Sequence, residues 1–482
     1  MPIVNLNELL AKPEVSRAIM TARDALGRAL PEGSFAEREA ALLAITNEAS
    51  RQVLEEELRQ VAGSFGDEIL VAGVAYRRHE PGGGVYHSLC GALDVPRDTF
   101  REMGVRNGPT VVPLELAAGI AERATPALAY SIAHGYARHD MRAHEENLRV
   151  AHRVPPSRST LERIANNVGG AAIEDATRIE RVLRRSEKVP AEAVSVVMGL
   201  DRTSVAMIED RAAGAPPKPE PKRTRPLVRR PPTPFDVNWR MAYVGTVSFC
   251  DATGEAIEIR RYAAPACDDP REIVEKMTAD VRAAVKRRPA LNAGIVQDGA
   301  AEMWNRTREG MQTLRDEGLL MGWREGIDRY HLLERLGEAL ALVEPDAKAR
   351  TVTLQRWVER FDDTDDTIDE IQDFLARRYL DLLGTLSTED SKKLADHLTY
   401  IRNNKDRMRY VTLRNAGVPV GSGVTESTAK TTVGHRAKRS GQRWLEANLR
   451  GVLTLRALNQ SDRLPRFWAT FSRRYTAELE AA

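Results

Sequence analysis

The sequence predicts an α/β chain, α+β overall, with a mixed sheet in its middle third, and three observations predict it. Apolar runs of strand character cluster at Ile69 to Leu93 and again at Ala193 to Val296. Stretches with apolar residues three or four apart flank both clusters, from Asn5 to Ala62 and from Leu332 to Val411. Short turn signals such as Asp251-Ala252-Thr253-Gly254 join neighbouring runs, which makes part of the sheet antiparallel.

The first element block, Asn5 to Ala62, is expected to form two or three helices, with a stripe of Leu42, Ile45, Ala49 and Val53 followed by Leu54, Leu58 and Val61. Next, Ile69–Tyr76 and Val85–Leu93 read as two strands of a hairpin joined through Glu80-Pro81-Gly82-Gly83-Gly84. From Pro126 the pattern is helical again. Two helices, a break at Val154-Pro155-Pro156 and a third helix opened by Ser157-Arg158-Ser159-Thr160 outline a helix-turn-helix. Ala193 to Met207 reads as a strand, and so do Met241–Cys250 and Ala256–Tyr262. Between the first two lies 212–235, with eight prolines and six Lys/Arg against one Glu, an extended basic tether. A helix at Asp269–Arg287, a strand at Ala293–Val296, a helix from Ala301 and a strand at Gly318–Trp323 complete the order. That order, three strands, helix, strand, helix, strand, is the order of an RNase H-like core. The expected regions are 1–125 (helices and hairpin), 126–190 (helix-turn-helix), 191–331 (first part of the core), 332–411 (all-helical insertion) and 412–482 (a long last helix and basic tail).

Composition narrows the function. The chain has 482 residues, enough for about three domains. Its 71 Lys+Arg against 69 Asp+Glu leave a net charge of only +2, so attraction to a polyanion has to come from local clusters. Three cysteines, none in a CxxC pair, exclude a disulfide scaffold and a four-cysteine zinc site. The longest stretch without Asp, Glu, Lys or Arg, Ala124 to Ala137, is shorter than the ~20 residues a membrane span needs. A soluble protein of the reducing cytoplasm, nucleoid-associated and not exported, is the expectation.

Phosphodiester cleavage needs an activated oxygen nucleophile and stabilisation of a leaving oxyanion, which two Mg²⁺ ions supply. Mg²⁺ takes hard oxygen ligands, so acidic residues should stand at strand ends or helix starts. Asp201 follows the run Val194–Leu200, Asp298 follows Ala293–Val296 and precedes Gly299, and Glu426 follows Gly421-Ser422-Gly423. Each alone is an ordinary cap or turn residue; together, on this element order, they point to a metal-ion site. Asp236, at the threshold of the next strand, competes with Asp201. Asp328 and His331 stand where the core turns into the helical block, with a packed cap as the plain reading of the histidine. His435, Arg436, Lys438, Arg439 and Arg443, placed along the expected last helix, stack like charges that a DNA backbone would neutralise. Arg158 and Arg163 give the third helix of the amino-terminal half a basic face. Trp444 and Trp304 read as core.

The stretches LDRTSVAM, MAYVGTVSFCDATGEA, QDGAAEMW, DRYHLLERL, RNAGVPVGSGVTES and HRAKRSGQRW resemble bacterial insertion-sequence transposases of the DDE class, Kra type, over about Val194 to Trp468. The resemblance implies an RNase H-like catalytic domain with a triad of Asp201, Asp298 and Glu426 and two Mg²⁺ or Mn²⁺ per active site. It also implies strand cleavage and transfer at terminal inverted repeats, double-stranded DNA as partner, and a dimer or higher assembly on that DNA. Relatives often carry an amino-terminal cysteine-rich zinc motif; with Cys90 alone in that half, none is expected here. The alternatives are a catalytically inactive DNA-binding regulator and an RNase H-like nuclease.

Overall fold

The computed structural model describes residues 5–211, 235–265, 269–298 and 300–481, so the basic tether falls almost wholly outside the described residues. They form two units, Met1–Ile179 with Asp462–Ala482, and Glu180–Ser461. The fold is α+β, as expected.

In the first unit three helices, α1 (Leu6–Leu10), α2 (Pro13–Ala29) and α3 (Phe35–Gly63), open the chain. Ser34 and Glu37 close a reciprocal capping box at the start of α3. The expected stripe packs only in part: Leu58 is buried, while Val53 and Leu54 are exposed. The expected hairpin is instead two hairpins. Strands β1 (Glu68–Val71) and β2 (Val74–Glu80) turn at Ala72-Gly73, both with positive φ, the two-residue turn that matches strand twist. Strands β3 (Gly83–Ser88) and β4 (Gly91–Pro96) turn at Leu89-Cys90. Each apolar run therefore folds back on itself, a register that hydrophobicity alone does not reveal. Strands β5 (Thr99–Glu102) and β6 (Thr110–Val111) and helix α4 (Pro113–Ala118) follow.

Helices α5 (Pro126–Arg138), α6 (Met141–Val150) and α7 (Arg158–Ser186) occupy the expected helix-turn-helix segment. The third, at 29 residues, runs well past Val168, and buries Leu161, Ile164, Ala165 and Val168. Exposed Arg158 and Arg163 lie 3.6 Å from Glu162 and Glu122, so local carboxylates already answer both guanidiniums. Residues from Asp462 on belong to this unit rather than to the core, because Leu479–Ala481 pairs antiparallel with β1. The expected region 412–482 is therefore divided.

The second unit is built on a five-stranded sheet in the order β11-β10-β7-β8-β9. Its strands are β7 (Ser195–Asp210), β8 (Phe235–Cys250), β9 (Ala256–Ala264), β10 (Asn292–Gln297) and β11 (Arg324–Ile327). The first three form the expected antiparallel meander, and β10 and β11 add in parallel. Helices α8 (Arg271–Arg287) and α9 (Ala301–Asp316) connect them. The last strand starts at Arg324, six residues later than Gly318. Ser195–Leu200 is buried throughout, as a strand covered on both faces must be, and from Asp201 the pattern opens to alternation.

Helices α10 (Arg329–Val343), α11 (Ala347–Asp363), α12 (Thr367–Asp381), α13 (Thr388–Asn404) and α14 (Tyr410–Asn415) form the helical block. The long last helix does not form. In its place stand α15 (Gly423–Thr428), a π-helical turn Ala429–Gly434, α16 (His435–Ala437), an irregular turn, and α17 (Glu446–Gln460). No helix of the described residues is long and apolar enough to cross a membrane.

His144 on α6 is buried against Gly135 of α5, where even a Cβ would stand 2.3 Å from its ring. Burial, with His139 and His134 nearby, lowers its pKa to about 4. Because this folded value lies below the ordinary imidazole value, the stability it lends is present above about pH 6.5 and is lost as pH falls towards 4. Between pH 7 and pH 5 the amino-terminal unit should lose about 2 kcal/mol through this group, an interval loss that urea denaturation should find absent in His144→Gln.

Candidate active site

Strand register brings the first two carboxylates together. β10 pairs with β7 in parallel from Asn292↔Ser195 to Ile295↔Met198. Three residues beyond that last pair on each chain segment stand Asp298 and Asp201, so both face the ground past the carboxyl end of the parallel pairing. Past Met198, β7 has lost its parallel partner, which opens the ground in front of Asp201. Asp236 is eight residues along β8 from Val244, the partner of Asp201, and pairs with Arg211 at 3.2 Å. At about 3.4 Å per residue it lies some 27 Å away and is no competitor.

Glu426 arrives by a different route. The segment 417–422 crosses the sheet, held first where the Ser195 hydroxyl donates to the Gly417 carbonyl (2.6 Å) and Asn292 Nδ2 to the Ala416 carbonyl (2.9 Å). At its other end Asp328 clamps it. One oxygen of the buried Asp328 carboxylate accepts from the backbone N–H groups of Tyr330 (2.7 Å) and His331 (3.0 Å), capping α10. The other accepts from Ser422 N–H (2.5 Å) and Oγ (2.9 Å). Asp328 is thus an organiser of the site rather than a wall of it.

Helix α15 then lies directly on β7 at Gly199. A Cβ there would stand 2.1 Å from Thr425 Oγ1 and 3.0 Å from Thr246 Oγ1. The two hydroxyls hydrogen-bond each other at 2.8 Å over the missing side chain. Glu426 is thereby delivered to the cleft, where His331 Nε2 sits 2.8 Å from its Oε1 and Ser422 Oγ 3.2 Å from the same oxygen.

Asp201, Asp298, Glu426 and His331 line one cleft of about 390 Å³, with Arg202, Thr203, Lys430 and Lys438 among the other walls. Burial raises the pKa of Asp201, and repulsion from Glu426 and Asp298 adds to it, against the Arg202 backbone N–H that supports the anion. Burial opposes charge on His331, but the hydrogen bond to Glu426 and the carboxylates of Asp328 and Asp298 outweigh it, so its pKa stands above the ordinary value.

Among the described residues no group of three or more His, Cys, Asp or Glu side chains is gathered closely enough to hold a metal ion by itself. Mg²⁺ does not ask for one: it takes one or two carboxylates per ion and completes its shell with water and phosphate. The donor set, three hard-oxygen side chains of which one is held against its own charge, fits such an ion.

The basic segment lies beside this cleft. Residues 438–444 dock along β7, with Ile208 N–H donating to the Trp444 carbonyl (2.7 Å) and Trp444 N–H to that of Ala206 (3.1 Å), which covers the strand edge left unpaired by β10. Lys438 Nζ donates to Thr203 Oγ1 at 2.7 Å. His435, Lys438, Arg439 and Arg443 are exposed. Arg436 is not: it is 3% exposed, its guanidinium 4.9 Å from the Trp444 ring centre, and it belongs to the packing under the turn rather than to a DNA-facing surface. Because 439 and 443 lie outside any helix, the expected stacking of 435, 439 and 443 on one helical face does not occur. Trp304 is buried, as expected.

Gly199, Ser422 and Thr425 are the site-building residues that sequence reasoning passed over. A glycine inside an otherwise β-branched and apolar run was the available signal for the first, since such glycines mark close approach. No protein-family description and no curated protein matches the chain.

Gly199→Ala should cost about 1–3 kcal/mol by overpacking against Thr425, and Gly199→Ala/Thr425→Ala should recover part of that loss in chemical denaturation. Asp328→Asn, which puts an amide donor against Ser422 N–H, should lower stability by about 1–3 kcal/mol and loosen α15, read as faster hydrogen exchange in 422–428.

Proposed function

We propose that this chain is a DNA strand-cleaving and strand-transferring enzyme, a transposase of the DDE class acting through Asp201, Asp298 and Glu426. The observation that carries the reading is the shared cleft: three carboxylates from a strand, a strand end and a helix, far apart in sequence, line one opening with Lys430 and Lys438 on its wall. Strand order and residue resemblance support the same reading.

Two Mg²⁺ ions, held by the oxygens of Asp201, Asp298 and Glu426, would supply an activated water and neutralise charge on the scissile phosphate. The protein's own groups do the rest. His331 holds Glu426 in one orientation by its hydrogen bond. Lys430 and Lys438 offset the phosphate charge, and the exposed His435, Arg439 and Arg443 engage the backbone further out, contacts that position DNA without reading its sequence. In hydrolysis the bond between phosphorus and the 3′ oxygen breaks, water supplies the new oxygen, and the 3′ oxygen leaves as a hydroxyl after taking a proton. In transfer that hydroxyl attacks a target phosphodiester, and the target's own 3′ oxygen departs. Recognition of terminal inverted repeats falls to the amino-terminal unit, and pairing of two ends implies at least a dimer on DNA.

Asp201→Asn, Asp298→Asn and Glu426→Gln should each reduce cleavage of a duplex carrying the element's end by at least about 100-fold; wild-type rates in all three would overturn the assignment. The raised pKa of Asp201 has the opposite sign for stability: its charge opposes folding at neutral pH. Asp201→Asn should therefore melt higher than the wild type at pH 7 in EDTA, and should lose the rise in Tm that Mg²⁺ gives the wild type.

A further inference from the structure

A second cleft, of about 540 Å³, lies away from the carboxylates and is walled by α9, β11, the end of α13 with the short 3₁₀ turn Lys405–Arg407, and α14. Five arginines face it, Arg308, Arg315, Arg324, Arg407 and Arg409, against two lining carboxylates, Glu325 and Asp406, and Asp369, which pairs with Arg409 at 2.7 Å from outside the groove. We propose that this groove is a second contact for duplex DNA, gripping the phosphodiester backbone about one strand length from the carboxylate cleft.

The groove is built rather than incidental. Glu325 accepts from Arg308 Nε (2.7 Å), Arg407 Nε (3.1 Å) and Trp323 Nε1 (2.9 Å), so a single carboxylate orients two guanidiniums and an indole. Arg407 lies 4.3 Å from the ring centre of buried Trp304 and Arg308 5.8 Å from it, so both cations are held against the same indole. Burial above all, with the nearby Arg308 charge adding to it, lowers the pKa of Arg407. Arg315 and Arg324 are exposed and have no carboxylate partner among the described residues. Cations oriented on several elements around an open groove suit a continuous polyanion better than one small anion, and arginine forks match phosphate oxygens.

Position relates the groove to the cleft. Arg324 begins β11 and Asp328 follows its end, so the strand between them spans about 13 Å. That is roughly four base steps at 3.4 Å per step of one strand, a distance that a single bound duplex covers.

The inference rests on the reading of the chain as acting on DNA, and the test separates the two. Binding of the full chain to a random-sequence 30-base-pair duplex is measured by anisotropy from 50 to 300 mM salt without divalent metal. Arg315→Glu/Arg324→Glu is compared with the wild type and with Arg356→Glu/Arg377→Glu, which makes the same charge change on exposed residues of the helical block. The groove variant should bind roughly tenfold more weakly at 100 mM salt, and the slope of log affinity against log salt should shrink by about 2, while the control stays near wild type. A groove variant indistinguishable from wild type, or a control that falls equally, overturns the groove. A wild type that binds no duplex overturns both readings, and cleavage by the carboxylate variants bears on the function alone.

Discussion

The active cleft depends on one close approach, that of α15 to β7 over Gly199. With no Cβ at that position, Thr425 settles against the sheet and bonds Thr246, and Glu426, the next residue, is placed in the cleft that Asp201 and Asp298 also line. Everything that fixes α15 elsewhere serves this contact. The Gly417 end of the crossing segment is tied to the start of β7, and its Ser422 end to Asp328, a carboxylate that also caps the first helix of the insertion. The insertion is thereby coupled to the carboxylate cleft through buried Asp328 and, directly, through the bond of His331 to Glu426.

Gathering carboxylates works against folding, and the structure manages that electrostatic strain locally. The Arg202 amide supports Asp201, His331 supports Glu426, and lysines stand on the same wall. The residual strain falls on Asp201, where burial and the neighbouring Glu426 and Asp298 all oppose its charge. Basic side chains also gather beside the carboxylates: Lys438, Arg439 and Arg443 are exposed on the turn next to the cleft.

Much of this was legible from residue order. Asp201 and Asp298 declare themselves by following apolar runs, because a carboxylate just past a fully buried run stands where the strand leaves its cover. The meander, the two crossover helices and the helical block follow from periodicity that is strong and uninterrupted. What periodicity hides is where a run folds back. ILVAGVAY reads as one strand, yet Ala72 and Gly73 adopt left-handed conformations and split it. Likewise the stretch after Glu426 reads as one helix, whereas a π-turn and an irregular segment divide it, since Trp444 is taken up by backbone bonds to β7. Arg436, indistinguishable in sequence from its exposed neighbours, is drawn under that turn against Trp444.

The sequence by itself determined the α+β class, the order of elements in the core, and three acidic positions poised at strand ends and a helix start, because these depend on short-range hydrophobic pattern and turn chemistry. Only the tertiary structure decided that Asp236 stands far from Asp201, that Asp328 is a clamp and Arg436 a packed residue, and that the residues from Asp462 on fold with the first unit. Those outcomes depend on strand register and on contacts between residues far apart in the chain, which no local pattern encodes.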